Sequence, residues 1–226
     1  GKYRVTPGKP LDPAMLECHV EDIEAGAANM IRQIDVIRQH GVTPVVAINV
    51  FQGDHPEELA AIRRIAEEAG ALGAAECRHF TDGGAGAVEL AEMVVDACEQ
   101  PSEFRYLYDL DSSIKDKIET IATRIYGAKD VVYEPLAERQ LRRYEQNGYR
   151  NLPICMAKTH LSLSHDPNLK GAPSGFTFPI REVRASIGAG FIYPICGDMR
   201  TMPGLSDHPA AEQVDIDEDG NTVGLF

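Results

Sequence analysis

The sequence predicts an α/β fold, with a mostly parallel sheet flanked by helices, a smaller C-terminal α/β subdomain and an antiparallel C-terminal hairpin. Three observations lead to this prediction. Amphipathic helical patterns alternate with short apolar runs, as in parallel sheets with right-handed crossover connections. The segment QPSEF at 100–104 interrupts that alternation and divides the chain into domains at residues 1–104 and 105–226. Asp219-Gly220 separates two alternating runs, which is typical of a hairpin turn.

The first domain contains three predicted helices and two predicted strands. Apolar residues repeat at spacings of three and four before Gly41, a pattern that predicts a long amphipathic helix. The run TPVVAIN is short and β-branched, which favours a buried strand. Pro56 in its first turn and Gly70 after its last turn bound a second helix. The predicted helices cover residues 13–40, 56–69 and 86–99, and the predicted strands cover 43–49 and 74–80.

The second domain follows with two more helices and four strands. Four isoleucines at helical spacing between residues 114 and 125 predict a helix that ends near Gly127. A charged, exposed helix is predicted to begin at Pro135. These helices cover 114–125 and 135–149, and the strands cover 105–109, 152–157, a short segment that carries Arg181 and Arg184, and an apolar segment before Gly197.

Composition excludes several classes of partner and location. The net charge of −13 disfavours nucleic acids and anionic membrane surfaces as partners. No run of 18 or more apolar residues predicts a transmembrane helix, and the N-terminal residues show no apolar signal region. The five cysteines are widely spaced and form no CxxC pair, so neither disulfides nor a zinc site are expected. A cytoplasmic protein with reduced thiols is therefore expected.

One segment of this acidic chain is locally cationic. Residues 151–205 carry five Lys/Arg against three Asp/Glu, which suits a small anionic ligand, with chance clustering as the alternative. Lys158, at the end of a predicted strand, is a candidate to approach an anionic group as a point charge. His160 and His165 are close in sequence, but hydrogen-bonded loop positions explain them more simply than a metal site, and no metal site is expected.

Two phenylalanines follow neighbouring predicted strands. Phe51 lies in the loop from Asn49 to Asp54, and Phe80 precedes two glycines that lead into a helix. Ligands bind at the carboxyl edge of open α/β sheets, so the two rings are candidates to clamp a flat heterocycle. The alternative is that each ring covers the end of the hydrophobic core. Catalytic residues are not identified, since the sequence contains neither a GxxxxGK[ST] phosphate loop nor a GxSxG elbow.

Motifs along the whole chain resemble those of formate–tetrahydrofolate ligase. They are GKPL at 8–11, VVAINVF at 45–51, GGAGAVELA at 83–91, SIKDKI at 113–118, LPICMAKTHLSLSHDP at 152–167 and DIDEDGNTVGLF at 215–226. That family joins formate to N10 of tetrahydrofolate with hydrolysis of ATP, assisted by Mg²⁺ and a monovalent cation. The resemblance therefore implies an ATP-dependent ligase of one-carbon metabolism.

The same resemblance implies roles for individual residues. Phe51 and Phe80 correspond to the aromatic residues that sandwich the pterin ring, although the family usually has tryptophan at the second position. Gln52-Gly53 replaces the family's usual Pro-Thr, a change that affects the rigidity of the loop. The residues expected to shape the pocket are Asn49, Asp54, Gly83 and Gly84.

The family's ATP site belongs to an N-terminal portion that the resemblance does not reach. The chain is therefore expected to be the folate-binding C-terminal half, with the N-terminal half of the same enzyme as its partner and a homo-oligomer as the complete enzyme. By itself it is not expected to turn over ATP. The alternative is a non-catalytic folate-binding or interaction module derived from that enzyme.

Overall fold

The computed structural model describes residues 12–51, 53–197, 207–209, 212–217 and 222–224, and it confirms an α/β fold. The helices are α1 (Val20–Gly26), α2 (Ala28–Gln39), α3 (Pro56–Glu68), α4 (His79–Asp82), α5 (Val88–Glu99), α6 (Ile114–Arg124) and α7 (Pro135–Gln146). The strands are β1 (Val46–Asn49), β2 (Ala74–Cys77), β3 (Asp130–Tyr133), β4 (Thr177–Ser186), β5 (Phe191–Cys196), β6 (Asp215–Ile216) and β7 (Thr222–Val223). Among the described helices, none has the length and apolar character needed to cross a membrane.

The first sheet pairs β1 with β2 in parallel, from Val46 opposite Ala74 to Asn49 opposite Cys77. The connection between them is α3, which begins with Pro56 in its first turn and buries Leu59 and Ala66 against the sheet. Parallel strands need such a crossover, because a tight turn reverses the direction of the chain and can join only antiparallel strands. A core cluster in this region is formed by Ile34, Ile48, Val50, Leu59, Ala66 and Ala74.

The single helix predicted over 13–40 is wrong, because the segment divides into a 3₁₀ turn (Pro13–Leu16), α1 and α2. Between the turn and α1, the backbone N–H of His19 donates to Glu58 Oε1 at 2.7 Å, instead of to a carbonyl of its own helix. A second break falls at Ala27, directly after Gly26, a residue with low helix propensity. A contact with α3 at the first break and a glycine before the second therefore divide the predicted helix.

The second sheet has the order β3–β4–β5. β3 is parallel to β4, whereas β5 is antiparallel to β4, so this sheet is mixed. Helices α6 and α7 pack on it, and their contact residues form the larger core of the described chain. That core contains Ile114, Ile118, Ala122, Ala128, Ala137, Leu141, Phe178, Ile180, Val183, Ile192 and Cys196.

Three sequence expectations in this half differ from the structure. The predicted strand over 105–109 is absent, because Arg105 N–H bonds His40 O at 3.1 Å and the segment continues as turns. The predicted strand over 152–157 contributes only two isolated bridges, Ile154 with Ile192 and Ala157 with Ile195. β3 was not predicted; it is four residues long and pairs with β4, almost fifty residues later.

The C-terminal hairpin is present as antiparallel pairing of β6 with β7. Its predicted turn, Asp219-Gly220, lies outside the described residues. The two core clusters fall on either side of the predicted boundary at residues 104 and 105, while the division into two domains stays a prediction.

Candidate functional site

The carboxyl edge of the first sheet brings two loops side by side. Asn49, the last residue of β1, is paired with Cys77, the last residue of β2. The ladder extends by one further bond, from Val50 N–H to Cys77 O at 3.1 Å. Because adjacent strands lie about 4.8 Å apart, the loops that carry Phe51 and Phe80 start from neighbouring positions.

Phe51 projects from a short, internally bonded loop. Its N–H donates to Asp54 Oδ2 at 2.8 Å, and Asp54 N–H donates to Phe51 O at 3.2 Å. Gly53 adopts φ +100°, a conformation that favours glycine, and Gln52 lies outside the described residues. The Phe51 side chain is 62% exposed, so it does not cover the hydrophobic core. Asp54 therefore shapes this loop by holding its backbone.

Phe80 lies in the helical turn α4, which corrects the prediction that β2 continues to residue 80. The strand ends at Cys77 because Arg78 N–H bonds to Gly86 O at 2.8 Å, which turns the chain away from the sheet. Thr81 and Asp82 then donate backbone N–H bonds to Arg78 O. The Phe80 ring is 86% exposed and is also free of the core.

The glycines after Phe80 have different physical roles. Gly83 has φ +58° and ψ −143°, a conformation that residues with a side chain rarely adopt, whereas nothing within 4 Å would meet a Cβ at Gly84. At Gly86, a Cβ would lie 2.6 Å from the carbonyl carbon and oxygen of Arg78. Gly86 thus permits the close approach that folds this loop, a role that sequence reasoning missed although it is the third glycine of GGAG.

Polar contacts fix the base of the second loop. Glu76 binds Arg63 of α3 at 2.9 Å and Arg78 at 2.7 Å, so one carboxylate joins the helix, the strand and the loop. Cys77 Sγ lies 3.1 Å from His79 Nδ1. The loop that carries Phe80 therefore starts from a firmly held strand end, with its aromatic ring directed to solvent.

Lys158 belongs to the second half of the chain. Its Nζ donates to Thr159 O at 2.9 Å and to Ser162 O, and it lies 5.1 Å from the centre of the Tyr126 ring. Burial lowers the pKa of Lys158, and burial raises the pKa of the neighbouring Cys196 thiol to about 12. Since the ammonium is held by the protein's own groups, its approach to an anionic ligand stays a prediction.

The rest of the KTHLSLSHDP run forms a tightly bonded loop. Ser162 Oγ accepts from Ser164 N–H at 2.9 Å, and Ser164 Oγ accepts from Asp166 N–H at 3.0 Å. The His165 ring packs against Phe176 and Phe178 and lines a cavity of about 500 Å³ that Arg181 also lines. The serine and aspartate contacts therefore stabilise this loop, whereas the buried Nδ1 of His165 has no hydrogen-bond partner among the described residues, which differs from the hydrogen-bonded position expected for it.

Comparison with known proteins assigns the family. A model of the formate–tetrahydrofolate ligase family matches residues 3–226. Formate–tetrahydrofolate ligases from Cutibacterium acnes and Saccharopolyspora erythraea are 56% and 60% identical over 226 and 225 residues, and one from Roseiflexus sp. is 57% identical over 225 residues. Each match covers 100% of this chain and 40% of the relative, so the chain spans less than half the length of these proteins. The chain therefore belongs to the formate–tetrahydrofolate ligase family.

Proposed function

We propose that this chain is the tetrahydrofolate-binding C-terminal part of an ATP-dependent ligase that formylates tetrahydrofolate with formate. The observation that supports it most is the pair of exposed phenylalanines, Phe51 and Phe80, on loops that leave paired strand ends. Exposed aromatic rings offer their faces to a planar ligand, and a pterin has two faces to cover. Asn49, Asp54, Gly83 and Gly84 would shape the surrounding pocket.

Each of the two rings should contribute stacking energy to tetrahydrofolate binding. Removing an aromatic side chain that stacks on a heterocyclic base costs about 1–3 kcal/mol, so loss of either ring should weaken tetrahydrofolate binding roughly 5- to 150-fold. The indole of the family's usual tryptophan is larger than the Phe80 ring, so Phe80→Trp should bind tetrahydrofolate more tightly.

Calorimetric titration of tetrahydrofolate into Phe51→Ala and Phe80→Ala tests the clamp. Phe104→Ala is the matched control, because Phe104 is also 62% exposed but stacks on His40 and belongs to neither loop. We expect both loop variants to lose affinity and the control to keep it. Wild-type affinity in both loop variants would refute the clamp.

We further propose that ligase activity requires the N-terminal part of the family's sequence, which would supply the ATP site with Mg²⁺ and a monovalent cation. The phosphate-loop motif GxxxxGK[ST] does not occur in this sequence. Within the described ranges the first sheet has only two strands, whereas parallel sheets are usually larger and covered on both faces. A larger assembly is therefore the expected context of this sheet.

Helix α5 points to where that N-terminal part would dock. Its apolar stripe consists of Val88, Ala91, Val95 and Cys98, and all four side chains are exposed. An amphipathic helix normally buries such a stripe. We propose that the stripe packs on the N-terminal part. We also propose that the complete enzyme is a homo-oligomer and is located in the cytoplasm.

Mixing this chain with a separately produced N-terminal part tests the requirement. We expect ADP formation that depends on formate and tetrahydrofolate only in the mixture, with Val95→Ser weakening the complementation and the neighbouring Asp96→Ser leaving it unchanged. Tetrahydrofolate binding without any ADP formation by the mixture would instead favour a non-catalytic folate-binding module.

A further inference from the structure

Three potential metal ligands from two separate segments meet next to the loop of Phe51. The Sγ atom of Cys18, one ring nitrogen of His55 and one carboxylate oxygen of Glu57 all lie within 4.8 Å of one another. Within the part of the chain that the structure describes, this is the one group of three such side chains that is close enough to share an ion. Cys18 comes before α1, whereas His55 and Glu57 lie at the start of α3.

A second, independent feature concerns the hydrogen bond of His55. Its Nε2 lies 2.9 Å from the backbone oxygen of Leu16. A carbonyl oxygen can only accept, so Nε2 carries a proton, and in the neutral imidazole the lone pair that can bind a metal is then on Nδ1. Histidines that bind metals usually donate their other ring N–H to a carbonyl or carboxylate in this way, which sets the tautomer and orients the ring.

We propose that Cys18, His55 and Glu57 bind one divalent transition-metal ion, with Zn²⁺ as the best match, and that the ion joins the segment before α1 to the start of α3. Thiolate, imidazole and carboxylate together favour Zn²⁺ or Co²⁺ over Mg²⁺ and Ca²⁺, which prefer oxygen ligands. Three protein ligands leave a fourth, tetrahedral position for water.

The required distances are within reach of small side-chain movements. Usual Zn–S, Zn–N and Zn–O bonds place tetrahedral ligand atoms roughly 3.4–3.6 Å apart. The three ligand atoms now lie within 4.8 Å of one another, so the most distant of them would need to approach by about 1 Å. Cys18 and Glu57 are exposed, so rotation of their side chains meets little resistance.

Local charge also favours a cation. The start of α3 carries a partial positive charge of about half a unit, which opposes metal binding. Against it stand the carboxylates of Glu57, Glu58 and Glu21, all of which act electrostatically on Cys18. The negative charge of these carboxylates outweighs the partial positive charge of the helix end. A bound dication would in addition deprotonate the coordinated thiol of Cys18.

The site would have a mechanical effect on the edge of the first sheet. His55 directly follows Asp54, whose carboxylate holds the Phe51 loop, and His19, next to Cys18, is bonded to Glu58. A bound ion would add a third connection between these segments and would restrain the base of the loop. The proposal concerns this chain's own residues and does not depend on the proposed function.

Titration with Co²⁺, followed by displacement with Zn²⁺, tests the site. We expect one equivalent of Co²⁺ to give tetrahedral d–d absorption and a thiolate charge-transfer band, and Cys18→Ser, His55→Ala and Glu57→Gln each to weaken binding at least 10-fold. Cys77→Ser is the matched control, because Cys77 also contacts a histidine yet lies outside the proposed site. Loss of the signal in Cys77→Ser with retention in Cys18→Ser would overturn the assignment.

Alkylation of the wild-type protein gives a second readout that needs no variant to fold. Cys18, Cys98 and Cys155 are exposed, so all three should react with iodoacetamide in the absence of metal. Zn²⁺ should protect Cys18 selectively, with the modified positions identified by peptide mass mapping. Equal modification of Cys18 with and without Zn²⁺ would show that no thiolate–metal bond forms.

Discussion

Lys117 is a fully buried ammonium in the first half of α6, and its replacement by methionine should be strongly destabilising. Its Nζ donates to Arg150 O at 2.5 Å and to Leu152 O at 3.1 Å, and it lies 5.9 Å from the centre of the Tyr108 ring. These bonds attach the segment after α7 to the core of the second half. Lys117→Met keeps the length of the side chain but removes both donors.

The size of the effect follows from these contacts. A hydrogen bond from a charged donor contributes about 1.5–3 kcal/mol, and removal of the donor leaves two carbonyls to find new partners. Part of that loss is offset, because burial lowers the pKa of Lys117, which shows that the charged form is itself costly to bury. We therefore expect the free energy of unfolding to fall by about 2–4 kcal/mol.

Urea denaturation measures this change, with Lys115→Met as the control. Lys115 lies on the same helix and pairs with Glu138 at 2.5 Å, but it is 40% exposed, so its loss should cost no more than about 1 kcal/mol. The lowered pKa of Lys117 means that the unfolded chain binds this proton more tightly. The contribution of Lys117 to stability should therefore rise with pH toward 10.5, so the difference in the free energy of unfolding between the wild type and Lys117→Met should grow over that range. Equal destabilisation by both substitutions would refute the structural role of Lys117.

Two further predictions concern Gly86 and Cys196. Gly86→Ala should lower the free energy of unfolding by about 1–3 kcal/mol in urea denaturation, because its Cβ would lie 2.6 Å from the Arg78 carbonyl. Gly84→Ala is the control and should leave stability unchanged, because there is open space around Gly84. Equal effects of the two substitutions would contradict the close approach of the Arg78 backbone to Gly86. Burial raises the pKa of the Cys196 thiol from its ordinary value of 9.0 to about 12, so the folded protein holds this proton more tightly than the unfolded chain. The stability that this difference provides is complete below pH 9. As pH rises from 9 toward 12, it is lost and lowers the free energy of unfolding by as much as about 4 kcal/mol. In the same denaturation series Cys196→Ala should remove that decline, and an unchanged slope would show that the thiol is not its source.

Local sequence signals predicted the elements that have clear ends. α3 agrees with the predicted helix because Pro56 begins it and Gly70 follows it closely. α6 agrees because its isoleucines repeat at helical spacing, and Ser113 caps it by accepting from Asp116 N–H. The strand β1 was found, although it is shorter than predicted. In each case the sequence signal lies within one turn or one strand, so no distant residue is needed to predict the element.

Distant partners decided the elements that the sequence predicted wrongly. His19 bonds to the Glu58 side chain 39 residues away, and this contact divides the predicted first helix. The side chains of β3 alternate between exposed and half-buried over only four residues, a pattern too short to predict a strand from the sequence. Its partner β4 is almost fifty residues away. The turn after Cys77 depends on Gly86, whose missing Cβ allows the Arg78 backbone to come close. None of these contacts leaves a periodic signal in the sequence.

Sequence alone determined the α/β class, the family and the two phenylalanines that follow neighbouring strands, because residue type, spacing and motif order express all three. Only the tertiary structure decided that both rings face solvent, that Lys158 is held by carbonyl groups, that Lys117 is buried, and that Cys18 lies beside His55. The physical reason is that a local pattern specifies which face of an element is apolar. Which distant groups then meet is set by how those faces pack.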